Sequence, residues 1–275
     1  MASQQLVTTV VPEPRSATAR PGFWLPMTTL WWRELVRFYR QRSRVAGTIG
    51  TPLLFWLLIG SGFGDSFRAP GAASPGYLEY FFPGTILLVV LFTAVFSNMS
   101  LIEDRREGFL LSVLVAPISR AAVVLGKVLG GSTLALAQGL ILVALAPLAG
   151  IRIGLTQALE VAGILSLISL TLTALGFFFA WRIDSVLGFH GVMNLLLMPM
   201  WMLSGALFPV SGAHSWVGWI MRVNPLTYGL GALRRVLYVT PPADAPSLTL
   251  ALVVMTACAL AATLAALHQL RRSSA

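Results

Sequence analysis

Six long apolar stretches with few charged residues set the main constraint on how this chain folds. An α-helix rises about 1.5 Å per residue, so a hydrocarbon layer of about 30 Å needs roughly 20 apolar residues. Only 11% of the 275 residues are charged, against about a quarter in a typical soluble domain. The sequence therefore predicts an all-α polytopic membrane protein. Its spans are expected at 45–62, 80–101, 121–149, 157–180, 186–208 and 247–268.

The basic residues indicate which way the chain crosses the membrane. The formal net charge is +9, but these residues flank the apolar stretches instead of covering one face, which argues against a nucleic-acid partner. Six crossings place both termini on one side, and 14 of the 19 lysines and arginines would lie on that side. Because positive charge collects on the cytoplasmic side, we expect an inner-membrane protein with both termini in the cytosol.

Two polar segments frame the first span. Residues 1–22 contain several prolines and no apolar core of the length that a secretory signal needs, which predicts a disordered cytosolic N-terminus. Residues 65–78 are rich in Gly, Pro, Ala and Ser, a composition typical of a loop.

Residues 27–44 have the pattern of an amphipathic helix. At helical spacing, one side carries a basic stripe of Arg33, Arg37, Arg40 and Arg44 with Glu34 beside it, and the other side carries Trp31, Trp32 and further apolar residues. A basic stripe opposite an aromatic one predicts a helix at the headgroup boundary, in contact with membrane lipids. The alternative is an amphipathic helix packed on a soluble domain, but no such domain follows in the sequence.

The segment between the second and third spans carries charges of both signs, so it should leave the bilayer. The apolar run from Phe109 to Val115 would form a short helix that Pro117 ends, and Ser119 can cap the next helix from Arg120. This pattern predicts a short amphipathic helix within 103–120 on the cytosolic face. A plain cytosolic loop whose charges only set the topology is the alternative, and the residues alone leave both open.

Residues 209–246 are too broken for a full span and too rich in Trp, Leu and Tyr for a free loop. Short half-helices that dip into the outer face fit this composition, since bent backbone at membrane depth must be shielded by protein. The aromatic residues could instead serve only as interface anchors.

The sequence contains no site that could supply energy or catalyse a reaction. It has no Gly-rich phosphate-binding loop, no His/Cys/Asp cluster with metal-ligand spacing and no nucleophile beside a base, so no catalytic or metal-binding residue is predicted. The loose pairs His214 with Asp244 and His190 with Asp184 keep open a membrane enzyme that acts on lipids. Otherwise, energy for transport must come from a separate protein.

Two motifs resemble those of a known family. The run REGFLLSVLVAPISRAAVVLGK (106–127) resembles the signature of ABC-2 type permeases, the membrane subunits of one class of ATP-binding-cassette transporter. The positions that match are Glu107, Gly108, Leu114, Pro117, Ser119, Arg120, Gly126 and Lys127. NPLTYGLGALR, from Asn224 to Arg234, is the second match. The resemblance covers roughly residues 23–272. Within the family the chain is similar to exporters of drugs and of modified oligosaccharides, and the motifs do not separate those substrates.

The resemblance implies a permease homodimer joined to two copies of a cytosolic ATPase, which bind ATP and Mg while this chain binds no cofactor. The helix within 103–120 would contact the ATPase, and the polar contacts would come from Glu103, Arg105, Arg106 and Glu107. The other residues assigned to ATPase coupling are Gly108, Pro117, Ser119, Arg120 and Lys127. Helix 27–44 would form the rest of that contact. The substrate pathway would be lined by Ser97, Asn98, Asn194 and Met198. An outer lid would contain Trp216, Trp219, Asn224, Pro225 and Tyr228.

Overall fold

The computed structural model describes residues 22–63, 76–238 and 245–272. The predicted disordered N-terminus up to residue 21, most of the predicted loop at 65–78, and Asp244 lie outside the described residues.

The described residues form ten α-helices. They are α1 (Trp24–Arg40), α2 (Arg42–Phe63), α3 (Tyr77–Arg106), α4 (Phe109–Val115), α5 (Arg120–Val143), α6 (Leu155–Ala180), α7 (Val186–Trp201), α8 (Ser215–Val223), α9 (Pro225–Leu237) and α10 (Leu248–Arg272). A short 3-10 helix (Ala146–Ala149) follows α5, and a π-helical turn (Met202–Ala206) continues α7.

The structure confirms the six predicted membrane spans. Among the residues that the structure describes, six helical segments are long and apolar enough to cross a bilayer: α2, α3, α5, α6, α7 with its π-helical turn, and α10. The fold is therefore that of an all-α polytopic membrane protein.

Three of the predicted boundaries are corrected by the structure. The predicted helix 27–44 is interrupted at Gln41, whose ψ of 74° is not helical, so Arg44 belongs to α2. The second span continues to Arg106, so Glu103 and Arg105 lie at its end and not on a separate short helix. The third span ends as an α-helix at Val143, before the 3-10 helix that contains Pro147. Proline favours such a tight helical turn over a continuing α-helix because it has no backbone N–H to donate.

Helix α3 is the centre of the bundle. It has 30 residues, so it is about 45 Å long and extends beyond the hydrocarbon layer. Almost all its apolar side chains are buried, because α2, α5, α6 and α7 pack around it. By contrast, α2, α7 and α10 expose leucine and other apolar side chains on their outer faces. A helix that is apolar all round is buried, as α3 is, whereas the outer helices offer apolar side chains to lipid.

The two ends of α3 define the two ends of the molecule. The charged end contains the C-terminal residues of α3, all of α4, and the start of α5. The opposite end, called the α8–α9 end, contains the start of α3, the end of α7, and helices α8 and α9. Arg33 on α1 contacts the charged end of α3, whereas Arg234 on α9 contacts the start of α3.

A sharp corner separates α3 from α4. Gly108 has φ +76°, a left-handed conformation that glycine adopts without the steric cost of a side chain. After α4, extended backbone at Ala116 and Ser119 leads into α5. Gly22 donates its N–H to the Pro117 carbonyl at 3.2 Å and accepts from the Ser119 N–H at 3.0 Å, which attaches the start of α1 to this connection.

Candidate functional site

Helix α1 packs closely along α5 at two glycines. A Cβ at Gly126 would lie 2.8 Å from the Met27 carbonyl oxygen, and one at Gly130 would lie 2.8 Å from the Glu34 Cβ. Small residues four positions apart let two helix backbones approach closely. Trp31 adds a hydrogen bond from its indole N–H to the Thr133 hydroxyl at 3.1 Å. The close approach brings the charged side chains of α1 to those of α3 and α5.

Asp104, which is completely buried, lies at the centre of this contact. Arg33 donates two hydrogen bonds to its carboxylate, at 2.7 and 2.6 Å, and Arg37 donates another at 2.6 Å. Lys127 from α5 also pairs with Asp104. The hydrogen bonds to Asp104 raise the pKa of the Arg33 guanidinium above its usual value. A buried carboxylate is tolerated only when it is paired and hydrogen-bonded, as this one is.

Glu34 is the second buried carboxylate, and it also pairs with Lys127. Its Oε1 lies 2.8 Å from the Lys127 Nζ, and its Oε2 accepts a hydrogen bond from the Ser100 hydroxyl at 2.5 Å. Lys127, which belongs to α5, therefore lies between a carboxylate of α1 and a carboxylate of α3. We call Arg33, Glu34, Arg37, Asp104 and Lys127 the charged joint, because they hold three helices together.

Three residues of the predicted ATPase-coupling set make contacts inside the chain: Lys127 in the charged joint, and Glu103 and Arg105 at the end of α3. Glu103 pairs with Arg37 at 2.7 Å and with Arg44 at 3.3 Å. Arg105 donates to the backbone carbonyl of Ile183 at 2.8 Å and pairs with Asp184 on the connection between α6 and α7. These two side chains fix the end of α3 against its neighbours. Three of the four arginines predicted to line a headgroup-facing stripe, Arg33, Arg37 and Arg44, likewise pair with carboxylates of α3.

The surface of the charged end that remains open is centred on α4. Leu111 and Val115 are 64% and 87% exposed, and they lie on one face of the helix because they are four residues apart. Leu110, on another side of α4, is buried against the bundle. Four exposed residues border this face: Arg106, Glu107, Pro117 and Arg120. Of the residues predicted for the interfacial helix, Trp32 and Arg40 on α1 are exposed.

The predicted pathway residues separate into two groups. Ser97 and Asn98 are buried inside the chain, where a Cβ at Gly131 would meet the Ser97 hydroxyl and Asn98 donates to the Thr173 carbonyl at 3.1 Å. The structure therefore does not bring these two residues to a surface. They pack α3 against α5 and α6, since close helix contacts need small residues and satisfied polar groups. Asn194 and Met198, on α7, are half-exposed.

The predicted lid residues lie on α8 and α9. Trp216 and Trp219 are 64% and 67% exposed on α8. Asn224 caps α9 by accepting from the Leu226 N–H at 3.0 Å, and Pro225 occupies the first turn of α9. The Tyr228 hydroxyl donates to the Arg222 carbonyl at 2.8 Å, which ties α9 to α8.

The loose His–Asp pairs are not assembled into a site. The His190 ring lies tilted against the Phe96 ring, with ring centroids 5.6 Å apart, while Asp184 pairs with Arg105. Asp244, the partner considered for His214, lies outside the described residues. Within the described part of the chain, no group of three or more His, Cys, Asp or Glu side chains could hold a metal ion.

Sequence reasoning missed Asp104, Ser100 and the role of the two glycines in the charged joint. Asp104 is one of several charged residues in a row, and nothing in that row distinguishes the buried one from its exposed neighbours. The spacing of Gly126 and Gly130 is the one signal that could have predicted a close helix contact.

The fold and this site define the class of the protein, a polytopic α-helical membrane protein with a charged joint at one end. The sequence profile of the ABC-2 type transporter family matches residues 27–238. The chain belongs to this family, and it is therefore a membrane subunit of an ATP-binding-cassette transporter, a class that works with an ATP-binding partner subunit.

Named relatives agree with this family. The chain is 28% identical over 205 residues to a protein of Cyanophora paradoxa that is named as the transport permease ycf38. This match covers 74% of this chain and 70% of the relative. The chain is 22% identical over 217 residues to the daunorubicin resistance ABC transporter permease protein DrrB1 of Streptomyces coeruleorubidus, with 76% and 74% covered. Nodulation protein J of Rhizobium leguminosarum bv. trifolii is 25% identical over 240 residues, with 83% and 87% covered.

Proposed function

We propose that this chain is the permease of an exporter for a hydrophobic or amphipathic compound, such as a drug, a lipid or a glycolipid, driven by a separate cytosolic ATPase. Two permease chains would form a homodimer with two ATPase subunits, which bind ATP and Mg. The complex would lie in the inner membrane, with the charged end and both termini of each permease in the cytosol. The exposed apolar face of α4 is the observation that carries this proposal.

That face has the features of a docking surface for a soluble partner. An exposed leucine and an exposed valine, one helical turn apart, are costly in water and are bordered by the charged residues Arg106 and Glu107. An apolar centre with a polar rim is the usual composition of a protein interface. The apolar pair and Glu107 would contact the ATPase, whereas Glu103 and Arg105 would keep the end of α3 in place.

Movement of α4 would reach the membrane through the charged joint. Helix α4 is joined to α5 by four residues, and Lys127 of α5 holds both Glu34 and Asp104. A displacement of α4 would therefore shift α5, α1 and the end of α3 together. Rigid-body movement of packed helices is a common way in which a local push changes the exposure of a distant pathway.

Export of an amphipathic compound fits the outer face of α7. Asn194 and Met198, four residues apart on this helix, are half-exposed among exposed leucines such as Leu195. One amide and one flexible thioether on an apolar surface suit a ligand with a large apolar part and few polar groups. The names of the relatives, one for daunorubicin resistance and one for nodulation, are compatible with such cargo.

The test is to replace Leu111 and Val115 together with serine and to measure how well the tagged permease co-purifies with the ATPase of its complex. We expect association to weaken by roughly tenfold or more, because removal of central apolar contacts commonly costs more than about 1.4 kcal/mol. The matched control is Leu148→Ser, since Leu148 is 71% exposed but lies in the 3-10 helix after α5. Unchanged association of the double variant would refute the docking role of α4.

A further inference from the structure

Helix α7 ends in a break of its α-helical geometry. Pro199 lies in its last turn, the π-helical turn Met202–Ala206 follows, and Gly205 has φ +93°. A left-handed residue cannot continue the hydrogen-bond ladder of a right-handed helix. Carbonyl oxygens at such a break need other donors when they are buried.

The motif from Asn224 to Arg234 supplies two donors at this break. The Asn224 amide donates to the Met200 carbonyl at 2.5 Å. The Arg234 guanidinium donates to the Gly205 carbonyl at 2.8 Å. The Thr227 hydroxyl donates instead to the Met221 carbonyl of α8 at 2.6 Å. The first and last polar residues of one motif therefore bind two carbonyls of the broken helix.

Helix α3 holds the same break from the other side. The Tyr80 hydroxyl donates to the Gly205 carbonyl at 3.0 Å, and the Tyr77 hydroxyl donates to the Leu207 carbonyl at 3.0 Å. The Arg234 guanidinium also stacks over the Tyr80 ring, 4.2 Å from its centroid. The Gly205 carbonyl thus accepts hydrogen bonds from two helices at once.

We propose that Asn224 and Arg234 are positioning residues that clamp the broken end of α7, and that release of this clamp opens the transport pathway at the α8–α9 end. The opening step rests on the proposed transport function. The clamp itself rests only on the contacts above, so the two can be tested apart.

The chemistry of the clamp contacts suits a region of the protein that changes conformation. Its acceptors are backbone carbonyls, so breaking a contact separates no buried ion pair, unlike rupture of the charged joint. The Arg234 Nε is buried and has no hydrogen-bond partner in the described part of the chain. A guanidinium has five N–H donors, so this arrangement leaves donor capacity that a second conformation can use.

The clamp is tested by the accessibility of a cysteine at its edge. Cys258 is replaced with Ala, Leu207 with Cys, and the purified chain in lipid nanodiscs is treated with a water-soluble maleimide. We expect Arg234→Met to increase the labelling rate at position 207 by about tenfold, and Arg234→Lys, which keeps one charged donor, to restore most of the protection. A cysteine at Trp216, on the exposed face of α8, should label at the same rate in all variants.

A second, milder variant covers the case in which Arg234→Met does not fold. Tyr80→Phe removes one donor to the Gly205 carbonyl without changing the charge, and we expect a two- to threefold increase in labelling, in line with loss of one hydrogen bond. Equal labelling rates in the parent, Arg234→Met and Tyr80→Phe would overturn the clamp.

The gating role is tested by adding a non-hydrolysable ATP analogue to the complex of permease and ATPase. We expect the analogue to increase labelling at position 207 in the parent, and to add little in Arg234→Met. Increased labelling in Arg234→Met together with no response of the parent to the analogue would keep the clamp but overturn the gate. If no ATPase associates with the chain at all, the proposed function fails while the clamp result still stands.

Discussion

The two ends of the bundle both hold a helix in place, but they do so with different chemistry. At the charged end, Asp104, Glu34 and Lys127 form buried ion pairs that join α1, α3 and α5. At the α8–α9 end, Arg234 and the tyrosines of α3 bind backbone carbonyls of α7. Loss of one partner of a buried ion pair is costlier than loss of a hydrogen bond to a neutral carbonyl. We infer that the charged end is a rigid connection and that the α8–α9 end is the part that can rearrange.

The largest effect is expected for Asp104→Ala at the charged joint. Lys127, Arg33 and Arg37 would lose their shared counter-charge in a buried place, which should lower the free energy of unfolding by about 3–5 kcal/mol. Unfolding of the purified chain in detergent, followed by temperature or denaturant, measures this loss.

The control for that variant is Asp184→Ala. Asp184 is 91% exposed and pairs with Arg105, so we expect a change of about 1 kcal/mol or less. If both aspartates gave the same loss, the charged end would not be the rigid connection inferred here.

An intermediate effect is expected for Gly130→Ala on α5. The new Cβ would lie 2.8 Å from the Glu34 Cβ, so α1 must shift away from Lys127, and overpacking of this kind costs about 1–3 kcal/mol. Gly163→Ala, on α6, meets nothing within 4 Å and should change stability little or increase it slightly. The same unfolding assay compares the two variants, and equal behaviour would show that the α1–α5 contact is not close-packed in solution.

The smallest effect is expected for Tyr80→Phe at the α8–α9 end. The Gly205 carbonyl would keep its bond from Arg234, so the loss should be about 1 kcal/mol. Tyr39→Phe, on α1 and 50% exposed, is the control and should be neutral. A loss from Tyr80→Phe as large as that from Asp104→Ala would remove the difference between the two ends.

The sequence predicted the architecture well and the site unevenly. The six spans followed from long apolar stretches, because hydrophobic length alone decides whether a helix can cross a bilayer. Pro117 and Ser119 predicted the corner between α4 and α5, whereas the left-handed conformation of Gly108 came from the structure. The direction of the Glu103 and Arg105 side chains could not be predicted, since their partners, Arg44, Asp184 and the Ile183 carbonyl, are distant in sequence.

The predicted substrate pathway shows the same limit. Ser97 and Asn98 interrupt an apolar span, a pattern that fits a pathway as well as a close helix contact. Only the packing of α5 and α6 against α3 shows that they are buried and hydrogen-bonded inside one chain. Asn194 and Met198 remain predictions for the pathway, because they lie on a half-exposed face of α7.

The sequence by itself determined that this is a six-span membrane protein, and its two motifs indicated the ABC-2 family. Hydrophobic length and motif spacing are local properties, so they can be recognised without the fold. The tertiary structure decided which charges are buried in the charged joint and which carbonyls the Asn224–Arg234 motif binds. Those contacts join residues far apart in the chain, and only the packing of the helices brings them within the short range of ion pairs and hydrogen bonds.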